Sequence, residues 1–342
     1  MKKPLLQTEN RVRRTYRGGR FLDVLSGKKN PVDSFCPEDW ISSFVEAKNK
    51  DYLAGEGISR VLLDGKEVLI TQAVTAEDFG PNRSDCGVLV KYLHSAERLG
   101  IQVHPTPAFS HQHFGTNYGK TECWHILGVD PLQEHTVYIG FREGITKERW
   151  QTLFEAQDID GMLSCLHRFE VKVGDTILVK AGTPHAIGAG CFLLEIQEPT
   201  DYTMRVEKTT VAGEVLTPMQ IHYGVGEDAM LDCFVYEGLS RADAKTRFFL
   251  RPRVEKHDMG GKIQTLVSYT NTSCFALQKI VGKASVAPES FVTLIARKAG
   301  CVQIGNESLY VKRGEKYFVP YGCGEIVVQN AEIILCYPPK IG

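Results

Sequence analysis

The chain has 342 residues, 43% of them hydrophobic and 24% charged, and a formal net charge of −1. That length suits about two domains, the composition excludes a disordered or fibrous protein, and the near-zero charge gives no global field to draw the chain to nucleic acid or anionic lipid. No window approaches the roughly 18 uninterrupted apolar residues of a membrane helix, and the start, MKKPLLQTEN, has no apolar run long enough for a signal peptide.

In chain order, the basic run RVRR (11–14) reads as a solvated surface patch. Helical periodicity is expected over Glu38–Glu46 (EDWISSFVE), over a short piece at Val90–Leu99, and over Thr146–Ala156 (TKERWQTLFEA). An amphipathic turn follows at Asp158, and Thr146 and Asp158 have the side chains of N-caps. Most of the remainder reads as short strands bounded by glycine or proline: RVLLDGKEVLI, HTVYIGF, DTILVKA, GCFLLEI, FVTLIARK, KYFVPYG, EIILCY. Turn signals every eight to twelve residues or so point to an antiparallel sandwich or barrel. The expected fold class is therefore mainly β with a few short helices.

The ten cysteines are scattered with no C-x-x-C pair, and Cys191, Cys233 and Cys336 lie in apolar runs. That pattern favours reduced, buried thiols in a cytosolic protein over a disulfide frame. One repeat stands out. Gly174-DTILV-Lys180-Ala-Gly182-Thr-Pro-His185 has a counterpart in Gly314-EKYFV-Pro320-Tyr-Gly322-Cys-Gly-Glu325. Two copies of one unit at this separation suggest two similar β-barrels, residues 1–235 and 236–342.

A lone histidine at a strand end, such as His185, is more often structural than a ligand. Its surroundings change that weighting. The pattern G-x5-P-x-G-x2-H resembles the second sequence motif of cupins, jelly rolls that hold a metal in the barrel mouth, with Lys180 here in place of the motif's proline. Together GIQVHP (100–105), GKTECW (119–124) and AGTPHAIG (181–188), with RGGRFLDVL, PEDWISS and LLEIQEPTDYTMRV, resemble the class I (type I) phosphomannose isomerases. Those are zinc enzymes built from two cupin domains. The resemblance implies two jelly-roll barrels, a cytoplasmic enzyme, and interconversion of mannose 6-phosphate and fructose 6-phosphate through an enediol. It also implies one metal per chain, held by Gln102, His104, Glu122 and His185.

Residue chemistry supports that quartet. Gln102 and His104 are two apart, so on a strand they face one side, and two imidazoles, a carboxylate and an amide oxygen suit Zn²⁺, with Mn²⁺ and Fe²⁺ as alternatives. The rival reading is four buried polar groups bonded to one another. His111 and His113 (SHQHFG) form a competing pair, but their setting reads as a loop over the cavity or plain surface. His125 should face away from Glu122, like Cys123. In the C-terminal copy Glu325 replaces the histidine, so no metal is expected there.

The resemblance also assigns chemistry to Arg205, which lies ten residues after Glu195 and four after Asp201. Its fork would bind an anionic intermediate or the substrate phosphate. Glu195 or Asp201 would move the proton, and the residues do not choose between them; their bland reading is a carboxylate pair neutralised by Arg205 and Lys208. Lys120 would point away from the metal on a regular strand unless a turn at Gly119 redirects it toward the phosphate. The sequence departs from the family where phosphate is expected. Glu97 and Gly100 stand where members carry Lys and Ser, and Thr106 replaces the acid after HP. Arg98, Lys91 or Lys120 would then have to compensate. Two alternatives follow: an isomerase or epimerase of another sugar or sugar phosphate, and a sugar-binding regulatory cupin without turnover. The expected partner is a small sugar phosphate, with no nucleic acid or membrane, on a monomer or homodimer.

Overall fold

The computed structural model describes residues 2–51, 53–257 and 259–340, with 35% strand and 17% helix. A seven-stranded sheet runs from edge to edge through Phe249–Leu250, Thr176–Val179, Glu122–Val129, Cys191–Gln197, Leu89–Ser95, Glu38–Ile41 and Arg11–Val12. A second sheet is built from Leu166–Glu170, Thr136–Arg142, His185–Ile187, Gln102–Val103 and Met204–Arg205, with Gly238–Leu239 added in parallel beside Thr136–Arg142. Leu93, Trp124 and Ile126 of the first sheet pack on Val137, Ile139 and Ile187 of the second, which makes an N-terminal β-sandwich.

The C-terminal half repeats the plan with a four-stranded sheet and a nine-stranded one, to which Leu5–Gln7, Arg60–Leu63 and Lys66–Leu69 add three strands at one edge. Their shared core includes Ile280, Leu294, Val302, Ile326 and Leu335. The nine-stranded sheet also packs on the seven-stranded sheet. Tyr92, Cys123, Leu194 and Ile196 meet Leu277, Ile295, Phe318 and Cys336 in one cluster. Strands also cross the expected boundary near residue 236. Leu5–Gln7 pairs with Lys316–Val319, and Phe249–Leu250 pairs with Thr176–Val179.

This sandwiching explains two departures from the sequence expectations. Glu38–Ile41 and Leu89–Ser95 are strands, not helices, and every residue in both is buried. A strand covered on both faces loses the apolar–polar alternation that identifies it. The expected helix at 146–156 is present as Lys147–Ala156, with Thr146 Oγ1 accepting from Arg149 N, and Asp158 caps Ile159–Ser164. His111 and His113 lie on a helix, Pro107–Phe114, capped by Thr106, and not in a loop.

The internal repeat is visible in the backbone. Gly174 and Gly314 have φ of 95° and 90°, and Gly182 and Gly322 have 83° and 85°. Both turns need the left-handed region that glycine enters without a Cβ penalty. All ten cysteines are free. Among the described residues no helix is long and apolar enough to cross a membrane.

Candidate metal centre

Four segments converge at the mouth of the N-terminal sandwich. The short strand Gln102–Val103 pairs with both His185–Ile187 and Met204–Arg205, so His185 and Arg205 are each register partners of Gln102. His104 lies two residues beyond Gln102, and Glu122 opens the strand Glu122–Val129. The donor atoms of His104, Glu122 and His185 all lie within 4.8 Å of one another, and all three residues are buried. His104 Nε2 is 3.0 Å from Glu122 Oε2, and His185 Nε2 is 3.5 Å from Glu122 Oε1. The Gln102 amide is 3.1 Å from His185 Nε2.

The outer contacts orient these groups as a metal site would need them. His104 Nδ1 donates to the Tyr202 carbonyl at 3.0 Å, and His185 Nδ1 donates to the Thr183 carbonyl at 2.9 Å. Each imidazole therefore turns its Nε2 lone pair to the centre, the usual arrangement behind a metal-binding histidine. Trp124 Nε1 donates to Glu122 Oε1 at 3.0 Å. Burial drives His104 down to about 3 and also lowers His185, so both are neutral donors. Burial opposes ionisation of Glu122, but the Lys120 ammonium beside it favours the carboxylate, and the group is held below its ordinary range.

The centre also attracts a cation. The Lys120 ammonium lies 2.7 Å from His104 Nε2 and 2.6 Å from Glu122 Oε2. Two neutral imidazoles, one carboxylate and an amide that presents either its nitrogen or its oxygen fit a divalent metal. The expectation that Lys120 points away from this place is corrected. Lys120 and Glu122 are two apart in extended chain and share a face.

Beside the centre is a cavity walled by Gln102, Lys120, Glu122, Glu195, Asp201 and Arg205. Six of the eight site residues expected from sequence thus line one space, with His104 and His185 buried next to it. The charges divide unevenly. Glu195 is opposite Lys91 in register, with Oε1 3.1 Å from Lys91 Nζ and 3.9 Å from Lys120 Nζ. Neither approach makes a hydrogen bond to that oxygen. Burial, with the nearby Glu122 charge, pushes Glu195 up to about 7. Asp201 is the opposite case. Arg14 grips both its oxygens at 2.8 and 3.0 Å, and Lys48 N donates at 2.8 Å. Despite burial its carboxyl is held below the ordinary range, chiefly by Arg14.

Arg14 belongs to the RVRR run, so that run is not simply a solvated patch. Its side chain is 9% exposed and also donates to Glu38 at 2.9 Å. Glu38 accepts in addition from Tyr16 OH at 2.6 Å and Trp40 Nε1 at 2.7 Å. Sequence reasoning missed Arg14, Tyr16 and Glu38, all of which line the cavity. The only local signal was an unexplained acid in a PEDW segment. The imagined neutralisation of Glu195 and Asp201 by Arg205 and Lys208 is not made. Lys208 pairs with Glu227 at 2.8 Å, and Arg205 Nη1 donates to the carbonyls of Gln220 and Thr203 at 2.5 and 3.4 Å. Among the described residues, Arg205 is the cavity-lining cation without a carboxylate partner.

The departures near the phosphate position resolve in part. Glu97 accepts from Arg17 N at 2.9 Å, and Arg98 is held by both oxygens of Glu207 at 2.6 and 2.9 Å. Arg98 is therefore committed elsewhere. Gly100 lines the cavity, and a Cβ there would meet its nearest neighbour, Glu207 Oε1, at 3.8 Å, an ordinary contact. The missing side chain leaves room instead of relieving a clash.

No family model matches the chain. A mannose-6-phosphate isomerase of Streptococcus mutans is 38% identical over 131 residues, 38% of this chain and 39% of that protein. Mannose-6-phosphate isomerase ManA of Bacillus subtilis is 29% identical over 260 residues, 73% of this chain and 74% of that one. The chain is thus similar in sequence to mannose-6-phosphate isomerases. It also has their fold: a mannose 6-phosphate isomerase solved with zinc bound superposes with a TM-score of 0.74 at 15% identity, over 99% of this chain and all of that one. The match to the Streptococcus isomerase spans about two-fifths of that relative's length.

Proposed function

We propose that the chain is a zinc-dependent aldose–ketose isomerase that interconverts mannose 6-phosphate and fructose 6-phosphate. The observation that carries this is a buried His104–Glu122–His185 cluster bordering one cavity, whose wall also has a carboxylate with an oxygen free of hydrogen bonds and a cation without a carboxylate partner. Gln102, His104, Glu122 and His185 would hold the metal, and the likeness in fold to an isomerase solved with zinc bound supports zinc. When bound, the metal supplies a Lewis acid that polarises and orients sugar oxygens.

The chain's own groups account for the rest. Isomerisation moves a proton between C1 and C2, so a base must take it, keep it and return it. Glu195 is suited to this: it lines the cavity, its Oε1 is free of hydrogen bonds, and its pKa near 7 lets it hold or release a proton at neutral pH. Asp201 is not suited, because Arg14 grips both its oxygens and Lys48 N donates to it as well. Its part is to fix Arg14 and, through Arg14, Glu38 and the cavity wall. Arg205 binds negative charge, on the enediolate or the phosphate, with the free part of its fork. Lys120 neutralises the acidic side of the centre.

The metal chemistry belongs to residues 1–235 in this reading, and residues 236–342 brace it. Lys316 Nζ pairs with buried Asp39 at 2.5 Å, and Thr293 Oγ1 donates to Ser42 Oγ at 2.7 Å. Both contacts fasten the segment that carries Glu38. A second reading, an isomerase or epimerase of another sugar or sugar phosphate, is favoured by one observation: Gly100 offers no hydroxyl and Arg98 is occupied by Glu207. Incorporation of solvent deuterium at C1 or C2 of the sugar tests the reaction class. Sugar binding without exchange would leave only a binding protein.

A further inference from the structure

His104 has one lone pair to give. Its Nδ1 donates to the Tyr202 carbonyl, which fixes the tautomer and leaves the lone pair on Nε2. Glu122 Oε2 is 3.0 Å from that nitrogen, but a carboxylate only accepts and does not satisfy it. The donor that does is the Lys120 ammonium, 2.7 Å from His104 Nε2 and 2.6 Å from Glu122 Oε2. Lys120 therefore bridges two of the proposed ligands. A metal bonded to His104 needs the same lone pair, and one lone pair serves one acceptor of its electrons at a time.

We propose that Lys120 is a resident cation that holds the metal-free centre together and is displaced when the metal binds. The side chain has somewhere to go, because Glu195 Oε1 lies 3.9 Å from its Nζ and lines the same cavity. Metal loading and the delivery of an ammonium to Glu195 are then one event. Lys120 is 3% exposed, so leaving the ligands does not take it into solvent; it exchanges one buried carboxylate for another. This inference rests on the metal-centre part of the proposed function and not on the identity of the sugar.

The test is zinc affinity, measured by competition with a chelator, for the full chain and for Lys120→Met, together with the melting temperature of each with and without zinc. Displacement predicts that the variant binds zinc at least about fivefold more tightly, the lower end of typical coupling between two binding events. It also predicts that the variant's metal-free melting temperature falls, because Glu122 loses its buried partner, while the zinc-loaded value holds. Lys120→Gln, which keeps a donor for His104 but no charge, should fall between the two proteins and keeps the test open if the methionine variant folds poorly. Equal or weaker zinc binding by the variants overturns the proposal. So does an unchanged metal-free melting temperature, the signature of a lysine that repels the metal only from a distance. A wild-type chain that binds no zinc overturns the metal centre as well. Turnover enters none of these readouts, so failure of the isomerase reading remains separate.

Discussion

His185 and Gln102 are register partners on neighbouring antiparallel strands, and their side chains meet at 3.1 Å although 83 positions separate them. The same short strand has Arg205 as its partner on the other side. One two-residue strand thus sets the His185 turn and Arg205 in fixed positions around a cavity. Strand register, more than loop shape, positions this site.

His185→Ala should therefore remove the metal while the fold survives. Loss of an outer-shell partner alone typically weakens metal affinity by about 10- to 100-fold, and a lost ligand should exceed that. Zinc stoichiometry after dialysis, alongside an unchanged circular dichroism spectrum, checks it. Full zinc occupancy would remove His185 from the set.

Arg205→Ala should leave zinc content intact and lower turnover by at least about a hundredfold, a typical loss for a group that stabilises developing charge. Because its hydrogen bonds within the protein go to backbone carbonyls, the substitution leaves no buried carboxylate unpaired. Steady-state kinetics on metal-loaded variant decides the matter, and normal turnover would return Arg205 to a structural role.

The pH profile should report Glu195. A base must be ionised to act, and burial pushes this carboxyl up to about 7. Activity should then rise with pH through an acidic limb at or below that value, since a bound cation can only pull it down. Lys91 and Lys120 lower the pKa of Glu195, so Lys91→Met should move the limb to higher pH. Glu195→Gln should cost about 10²- to 10⁴-fold in turnover, the usual contribution of general acid–base catalysis. A limb unmoved in Lys91→Met would assign it to another group.

Asp201→Asn should act on stability first. The substitution strips Arg14 of a bidentate partner in a buried setting, where breaking such a pair costs about 3 kcal/mol or more; Glu38 remains and keeps the loss near that lower end. The folded-state pKa of Asp201 is lowered, so its stabilisation is present at neutral pH and fades as pH falls through the acid range. Urea unfolding at pH 7 and at pH 3, below the ordinary carboxyl value, measures both effects. Unfolding midpoints that match the wild type would contradict the network.

Much of this was legible from residue order. The parity of Gln102 and His104, and the glycine turn before His185, carry their geometry locally, because a strand alternates and a left-handed turn needs glycine. The same parity places Lys120 on the face of Glu122 once the two positions are counted. What sequence could not supply was pairing at long range. Arg14 reaches Asp201 across 187 positions, and nothing in RVRR distinguishes the buried guanidinium from its neighbours. Glu38–Ile41 and Leu89–Ser95 were misread for a related reason: a second sheet on their outer face removes the alternation that marks a strand.

The central claim meets its most direct test in an isomerase assay. Zinc-loaded protein is given mannose 6-phosphate, and fructose 6-phosphate is measured with and without a chelator. Turnover that the chelator abolishes and zinc restores is the expected result. Zinc bound stoichiometrically with no fructose 6-phosphate formed would contradict the account and leave the metal centre serving a different sugar.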